Sequence, residues 1–243
     1  MLEERYAGIV ISFIPSDDQN VIQHFRSGKF SSSSKLTFHV NNDGRNGRYF
    51  AVKKALDIPA DFIHYVDMDR LLHWVETRPD EWHKMVGEVE RFDCVIFGRT
   101  QTAYHTHPQA LITTEKISNQ VVSHILQSDM DVSAGSKSFS RSVAQYIIDY
   151  CQSDNSIGSD AEWPIRLKQA GFRLEYIRVD GLDWESADQF MLRAASTDEQ
   201  AYAAKNYDAD PNHWSQRVKI ADTIIQAAID AEQKKDSLVR EKI

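Results

Sequence analysis

Asp67-Met68-Asp69 closes the apolar run Phe62–Val66. In an extended chain, residues i and i+2 point to the same side, so both carboxylates converge on one point. Clustered carboxylates repel unless they share a proton or a cation. Hard divalent ions such as Mg2+ or Mn2+ take oxygen ligands and are often completed by substrate phosphates. In open α/β sheets, ligands gather beyond the carboxyl ends of strands, where this pair stands. The structural alternative is that Asp67 or Asp69 caps a helix starting near Arg70.

Other residues carry possible chemistry. Arg45, Gly47 and Arg48 open a helix whose first amides and guanidinium groups suit phosphate, or they form a solvated turn. Gly181-Leu182-Asp183-Trp184-Glu185 joins an aromatic plane to two acids, a combination suited to a sugar or to packing with a solvated edge. His105 and His107 alternate, as a pair of metal ligands can, without a third partner identifiable. Cys94 and Cys151 form no CxxC spacing, which argues against a disulfide scaffold or zinc ribbon, and Cys94 reads as a core residue.

The elements around these residues read as an α/β domain. Strand-like runs at Ala7–Ile14, Leu36–Val40, Phe62–Val66, Cys94–Phe97 and Phe172–Val179 alternate with helical patterns, which predicts a largely parallel sheet. Helices are expected over Val21–Phe25, Arg48–Leu56, Arg70–Glu76, Glu81–Glu90, Ile117–Leu126, Ser140–Cys151 and Pro164–Ala170. Pro164 would remove a hydrogen bond from a helix begun at Ser159, so the last of these is placed nearer Pro164, with Asp160 in a loop facing the cleft. Against that stands a capping box, Ser159-x-x-Glu162. The apolar stripe Val218, Ala221, Ile224, Ile225 and Ala228 in a final helix, Trp214–Glu232, must pack on the body or on a second copy, so a homodimer is one expectation. Residues 1–195 are read as the main domain and 196–243 as a helical extension with a charged tail.

Composition narrows the function. The 28 basic and 36 acidic residues leave a net charge of −8, which disfavours general nucleic-acid or anionic-membrane binding. No run reaches the apolar length of a membrane span. The opening Met1-Leu2-Glu3-Glu4-Arg5 lacks the pattern of a signal peptide, so the cytoplasm is the expected location.

Two blocks resemble GT-A glycosyltransferases of the family-2 type. The first is Gly47-Arg48-Tyr49-Phe50-Ala51-Val52-Lys53-Lys54-Ala55-Leu56 followed by Asp61-Phe62-Ile63-His64-Tyr65-Val66-Asp67-Met68-Asp69. The second, Ser159-Asp160-Ala161-Glu162-Trp163-Pro164-Ile165-Arg166-Leu167-Lys168-Gln169-Ala170-Gly171-Phe172-Arg173-Leu174, is similar to the segment that carries their catalytic acid. The resemblance spans Gly44 to Val179. It implies a GT-A, Rossmann-like, mixed but mainly parallel sheet flanked by helices. It further implies transfer of a sugar from a nucleoside-diphosphate sugar to a small or soluble hydroxyl acceptor. Asp67 and Asp69 would hold Mn2+ or Mg2+ on the diphosphate, where the cation offsets charge on the leaving group. Asp160 would take the acceptor proton in an inverting reaction, with Glu162 as the nearby alternative base. Pro15, Asp17 and Asp43 fall where such enzymes meet the nucleoside, although Asp17 or Asp18 would equally cap a helix. Gly135 and Ser136 lie in a small-residue loop, Asp131–Arg141, that would approach donor sugar and acceptor. His213 would be a late metal ligand by the same resemblance.

The chain departs from the family in two places. A single strand candidate lies between Ile14 and Asp67, and Ser159 replaces the first acid of a Glu-Asp pair. These departures motivate a second reading, a non-catalytic domain that binds nucleotide-sugars. A third is a Mg-dependent phosphatase, because Asp67-Met68-Asp69-Arg70-Leu71-Leu72 superficially resembles the haloacid-dehalogenase-like loop.

Overall fold

The computed structural model describes residues 2–14, 19–27, 33–42, 46–152, 156–189 and 191–234. In chain order the elements are α1 (Leu2–Arg5), β1 (Ile9–Phe13), α2 (Gln19–Ser27), β2 (Leu36–Val40), α3 (Gly47–Ala55), β3 (Phe62–Val66), α4 (Met68–Thr77), α5 (Pro79–Glu88), β4 (Cys94–Arg99) and α6 (Gln101–His105). There follow α7 (Gln109–Leu126), β5 (Ser136–Ser140), α8 (Arg141–Tyr150), α9 (Ser159–Gln169), β6 (Leu174–Val179), α10 (Thr197–Asp208) and α11 (Pro211–Gln233).

The main sheet has the order β3-β5-β4-β6. β5 runs antiparallel to both β3 and β4, and β6 runs parallel to β4, so three of the four strands share one direction. β1 and β2 form a separate parallel pair, and α3 bridges the two by packing on both β1 and β3. The architecture is therefore α/β with helices flanking a mixed sheet.

Side chains alternate across each strand and feed a core on either face. Ile63, Cys94, Ile96 and Phe139 point toward Val143, Ile147, Trp163 and Leu167. Val95 and Phe97 point the other way, into a cluster with Trp74, Trp82 and Val179. In an open α/β sheet covered by helices, ligands gather beyond the carboxyl ends of the strands.

Four expectations are corrected. The segment 131–141 was expected to be a loop, but it supplies β5, the second strand of the sheet. Its Ser-Lys-Ser-Phe-Ser composition lacks the apolar run that marks a buried strand, and pairing on both sides supplies what composition does not. α9 starts at Ser159, not near Pro164, and Pro164 sits inside it. The cost of that proline is one donor, which a helix with nine buried residues and contacts on several elements tolerates. The capping box at its start does not form: Gly158 is the N-cap, and Ser159 Oγ donates to Ser156 O at 2.6 Å. α7 begins at Gln109, a full two turns before the apolar stripe used to place it.

The C-terminal helix is part of the core. α11 lies along α7 and α9, with Ile224, Ala228 and Ala231 in the same cluster as Trp163. Val218 is exposed. Ile224→Ala is expected to lower stability by about 2–5 kcal/mol in denaturant titration. Val218→Ala should change it by less than about 0.5 kcal/mol.

Candidate functional site

Asp67 is the last residue before α4 and has the extended backbone of an N-cap, φ −64° and ψ 134°. Its carboxylate is the solvent-facing member of a charged cluster. Tyr65 Oη donates to Asp67 Oδ1 at 2.6 Å, and Arg48 Nη2 lies 3.1 Å from Oδ2. The same guanidinium reaches Asp160 Oδ2 through Nη1 at 2.7 Å. Lys137 Nζ donates to Asp160 Oδ1, also at 2.7 Å. Two acids and two cations thus form one chain of contacts, Asp67–Arg48–Asp160–Lys137.

Burial sets the properties of each group. Asp160 is 4% exposed, which alone would raise its pKa, but Arg48 and Lys137 outweigh that and hold it below the ordinary carboxylate range. Arg48 works against its own desolvation, and Asp160 and Asp67 keep it firmly protonated. Burial pushes the Tyr65 phenol well above its usual value, so it remains a donor to Asp67.

Gly135 completes this corner. Its φ of +66° is a left-handed conformation, and an added Cβ would stand 2.6 Å from Asp67 Oδ2. The backbone meets as well, with Asp67 N donating to Gly135 O at 3.2 Å. Only glycine lets the entry to β5 come this close to the carboxylate.

The fold brings Asp67, Gly135, Arg48 and Asp160 to one place, although Asp160 comes from the first turn of α9 and is buried, not from the cleft-facing loop expected of it. Asp69 goes elsewhere. An extended Asp67-x-Asp69 was expected, but the helix begins at Met68, so Asp69 is an exposed residue of the first turn and its Oδ1 accepts from Arg70 N. Residues two apart on a helix face differ by about 200°, which also separates Glu162 from Asp160. Glu162 Oε1 accepts from Gln152 N at 2.9 Å. A Cβ added at Gly47 would stand 3.4 Å from the Ile14 side chain and 3.8 Å from Ser156 Oγ, and Arg48 N donates to Ser156 Oγ. Ser136 is buried with its Oγ 3.1 Å from His64 Nε2. Pro15, Asp17, Asp43 and Arg45 lie outside the described residues.

His213 and Trp184 take packing roles, and His107 is buried with Nδ1 donating to Ala103 O at 3.1 Å. His213 stacks on Tyr207 at 3.9 Å between centroids and donates from Nδ1 to Tyr207 O. Trp184 is buried against Tyr207. Among the described residues no group of three or more His, Cys, Asp or Glu side chains is placed to hold a metal ion.

A second charged network lies along the same sheet edge and was not found from sequence. Arg99, at the end of β4, binds Asp131 through Nε at 2.7 Å and Glu115 through Nη2 at 2.7 Å. Asn119 Nδ2 donates to Asp131, and Arg217 Nη2 lies 3.3 Å from Glu115. Arg70 Nε is 3.5 Å from Glu185. The available signal was Arg99 itself, a charged residue continuing the apolar run Cys94–Phe97. Lys137 carried no comparable signal.

No family model matches the chain, nor does any curated protein or solved structure. No helix among the described residues is long and apolar enough to cross a membrane.

Two predictions test the electrostatics. His73 lies between Asp183, 2.8 Å from Nε2, and Asp188, 2.6 Å from Nδ1. Burial opposes its charge, but the two carboxylates raise its pKa from 6.5 to about 9. A raised pKa stabilises the fold fully below 6.5 and loses that contribution as pH rises through about 9. Stability measured from pH 6 to 10 should therefore fall, and His73→Gln should flatten that decline. Lys137→Met should cost about 3–5 kcal/mol at neutral pH by leaving Asp160 short of a partner. The difference from wild type should shrink in acid, where Asp160 takes up a proton.

Proposed function

We propose that the chain transfers a sugar from a nucleoside-diphosphate sugar to a hydroxyl acceptor, in a GT-A-like site at the carboxyl edge of the sheet. The observation that carries this reading is the Arg48 bridge. It joins Asp67, from the first family-like block, to Asp160, from the second, through contacts of 3.1 and 2.7 Å. The mixed sheet with β3 ending at Asp67, and the close approach of Gly135 to that carboxylate, are further support.

The fit to a divalent cation rests on Asp67. It offers a half-exposed hard oxygen donor, and Mg2+ is commonly bound by one or two carboxylates with phosphate oxygens and water completing the shell. In this reading Asp67 is the protein ligand to Mg2+ or Mn2+, and Asp69 is not. When bound, the cation offsets charge on the departing diphosphate.

The chain's own residues do the rest. Arg48 and Lys137 supply two fixed positive charges beside the place of the diphosphate. Asp160 is held ionised and so acts only as an acceptor, as a base for the acceptor hydroxyl must. While both cations pair with it, its basicity is weakened, and a phosphate that draws Arg48 away restores it.

The closed set of ion pairs also favours a second reading, a transferase-like domain that binds nucleotide-sugars without transfer. A phosphatase using Asp67 as nucleophile is less well supported, because Asp67 follows the third strand in chain order and not the first, and Arg70 stands at the fourth position of the loop.

The test is thermal stability with UDP, GDP, CDP and dTDP, each with and without Mn2+. A ligand at about 100 times its Kd adds ~2.7 kcal/mol, roughly 5–10 °C for a chain of this size. One nucleotide should give a Mn2+-dependent shift that Asp67→Asn abolishes and Asp69→Asn preserves. Sugar release from that nucleotide's donor, lost in Asp160→Asn, then separates transfer from binding alone. No shift with any of the four nucleotides overturns the proposal, and Mg2+-dependent phosphomonoester hydrolysis would replace it with the phosphatase.

A further inference from the structure

Arg70, in the first turn of α4, is a cation whose hydrogen-bond donors are not spent. Both of its contacts are long. Nε lies 3.5 Å from Glu185 Oε1, and Nη1 donates to Ser133 O at 3.3 Å. The neighbouring cations are held more tightly. Arg48 and Lys137 each lie 2.7 Å from Asp160, and Arg99 lies 2.7 Å from both Glu115 and Asp131. A planar guanidinium fork carries more N–H donors than two such contacts use. Nη2 of Arg70 makes no hydrogen bond among the described residues. The buried nitrogens without a partner include Nη1 of Arg99 and Nε of Arg217 but none of Arg70. Its side chain is 11% exposed, so the unused donors of Arg70 are open to solvent, whereas those of Arg99 and Arg217 are sealed.

Arg70 also borders the candidate site. A Cβ added at Gly135 would stand 2.6 Å from Asp67 Oδ2 and 3.4 Å from Arg70 Nη1. Carboxylate and guanidinium therefore face each other across a residue that has no side chain. Glu185 and Asp67 keep Arg70 protonated against its burial. Asp67 thus has two guanidinium neighbours, of which only Arg48, 3.1 Å from Oδ2, is within ion-pair distance among the described residues. Nothing has to move for Arg70 to take a further partner. His73, one turn further along α4, holds Asp183 at 2.8 Å and Asp188 at 2.6 Å, so the segment that brings Glu185 to Arg70 is docked without its help.

We propose that Arg70 binds the diphosphate of the nucleotide donor, its open N–H groups donating to phosphate oxygens beside the Asp67 carboxylate. The inference rests on the transfer reading above and adds a phosphate-binding residue to it. A guanidinium matches phosphate in charge and in the planar spacing of its donors. Glu185 and Ser133 O fix the group in place beforehand, so little side-chain freedom is lost on binding. Arg48 and Arg70 then meet the diphosphate from two different turns of chain, one opening α3 and the other opening α4.

The experiment is calorimetry with UDP, GDP, CDP and dTDP in the presence of Mn2+, at several salt concentrations, on wild type and Arg70→Gln. The nucleotide that binds wild type should bind Arg70→Gln at least about tenfold more weakly. Its affinity should also fall less steeply with added salt, because one charge contact is gone. Arg70→Gln leaves Glu185 without its cation, so the double variant Arg70→Gln/Glu185→Gln removes both charges and repeats the comparison without a stranded acid. Affinity within about twofold of wild type in both variants, or a loss whose salt dependence equals that of wild type, overturns the proposal and leaves the transfer reading standing. Failure of all four nucleotides to bind wild type overturns the transfer reading, and this inference with it.

Discussion

Asp160 sits in the interior between two cations, and the architecture of the site follows from that. An ion taken out of water costs several kcal/mol unless it is paired and hydrogen-bonded. Arg48 and Lys137 meet the requirement from opposite sides, so α3, β5 and α9 must all be in place before any of the three charges is tolerated. Such an arrangement specifies geometry more than it adds stability. Replacement of all four charged groups by well-packed apolar residues can leave a fold as stable, but here it would remove the Asp67 carboxylate at the end of β3.

The second network obeys the same rule one strand further along. Arg99 ends β4, whose six residues are all buried, and Asp67 follows β3, where Ile63 is buried and the other residues are partly buried. The charged groups therefore mark the boundary between a dry sheet and an open edge. Arg70 stands between the networks, held by Glu185 and by Ser133 O, and couples them electrostatically. Among the described residues, Arg99 Nη1, His107 Nε2, Glu185 Oε2 and Arg217 Nε are buried without a hydrogen-bond partner near this second network, while Ser12 Oγ, His83 Nδ1, Trp163 Nε1 and Arg166 Nε are buried without one elsewhere.

Much of the frame was legible in the sequence. The apolar runs at Leu36–Val40 and Phe62–Val66 are strands, the spacing in Arg48–Leu56 marks a helix, and Asp67 stands at the end of its strand. Legibility fails where the local pattern and the final environment disagree. Ser136–Ser140 reads as a polar loop because its side chains are small and hydrophilic, yet it lies between two strands with its serines bonded across the sheet to His64 and to Ile63 O. Asp160 reads as a loop residue because Pro164 discourages a helix, yet nine buried residues in α9 outweigh one missing hydrogen bond.

The sequence by itself determined the α/β class, the order of most elements and the place of Asp67 after its strand. These depend on periodicity and on residues close along the chain, where hydrophobic burial imposes a repeat of two or of 3.6, whereas Asp160 was marked out only by the family resemblance. Only the tertiary structure decided that Arg48 bridges those acids, that Lys137 is buried beside Asp160, that Asp69 leaves on a helix, and that His107 keeps an unspent nitrogen. Charge pairing and desolvation depend on neighbours in space. Arg48, Lys137 and Asp160 come from three distant segments, and no local pattern records which of them will meet.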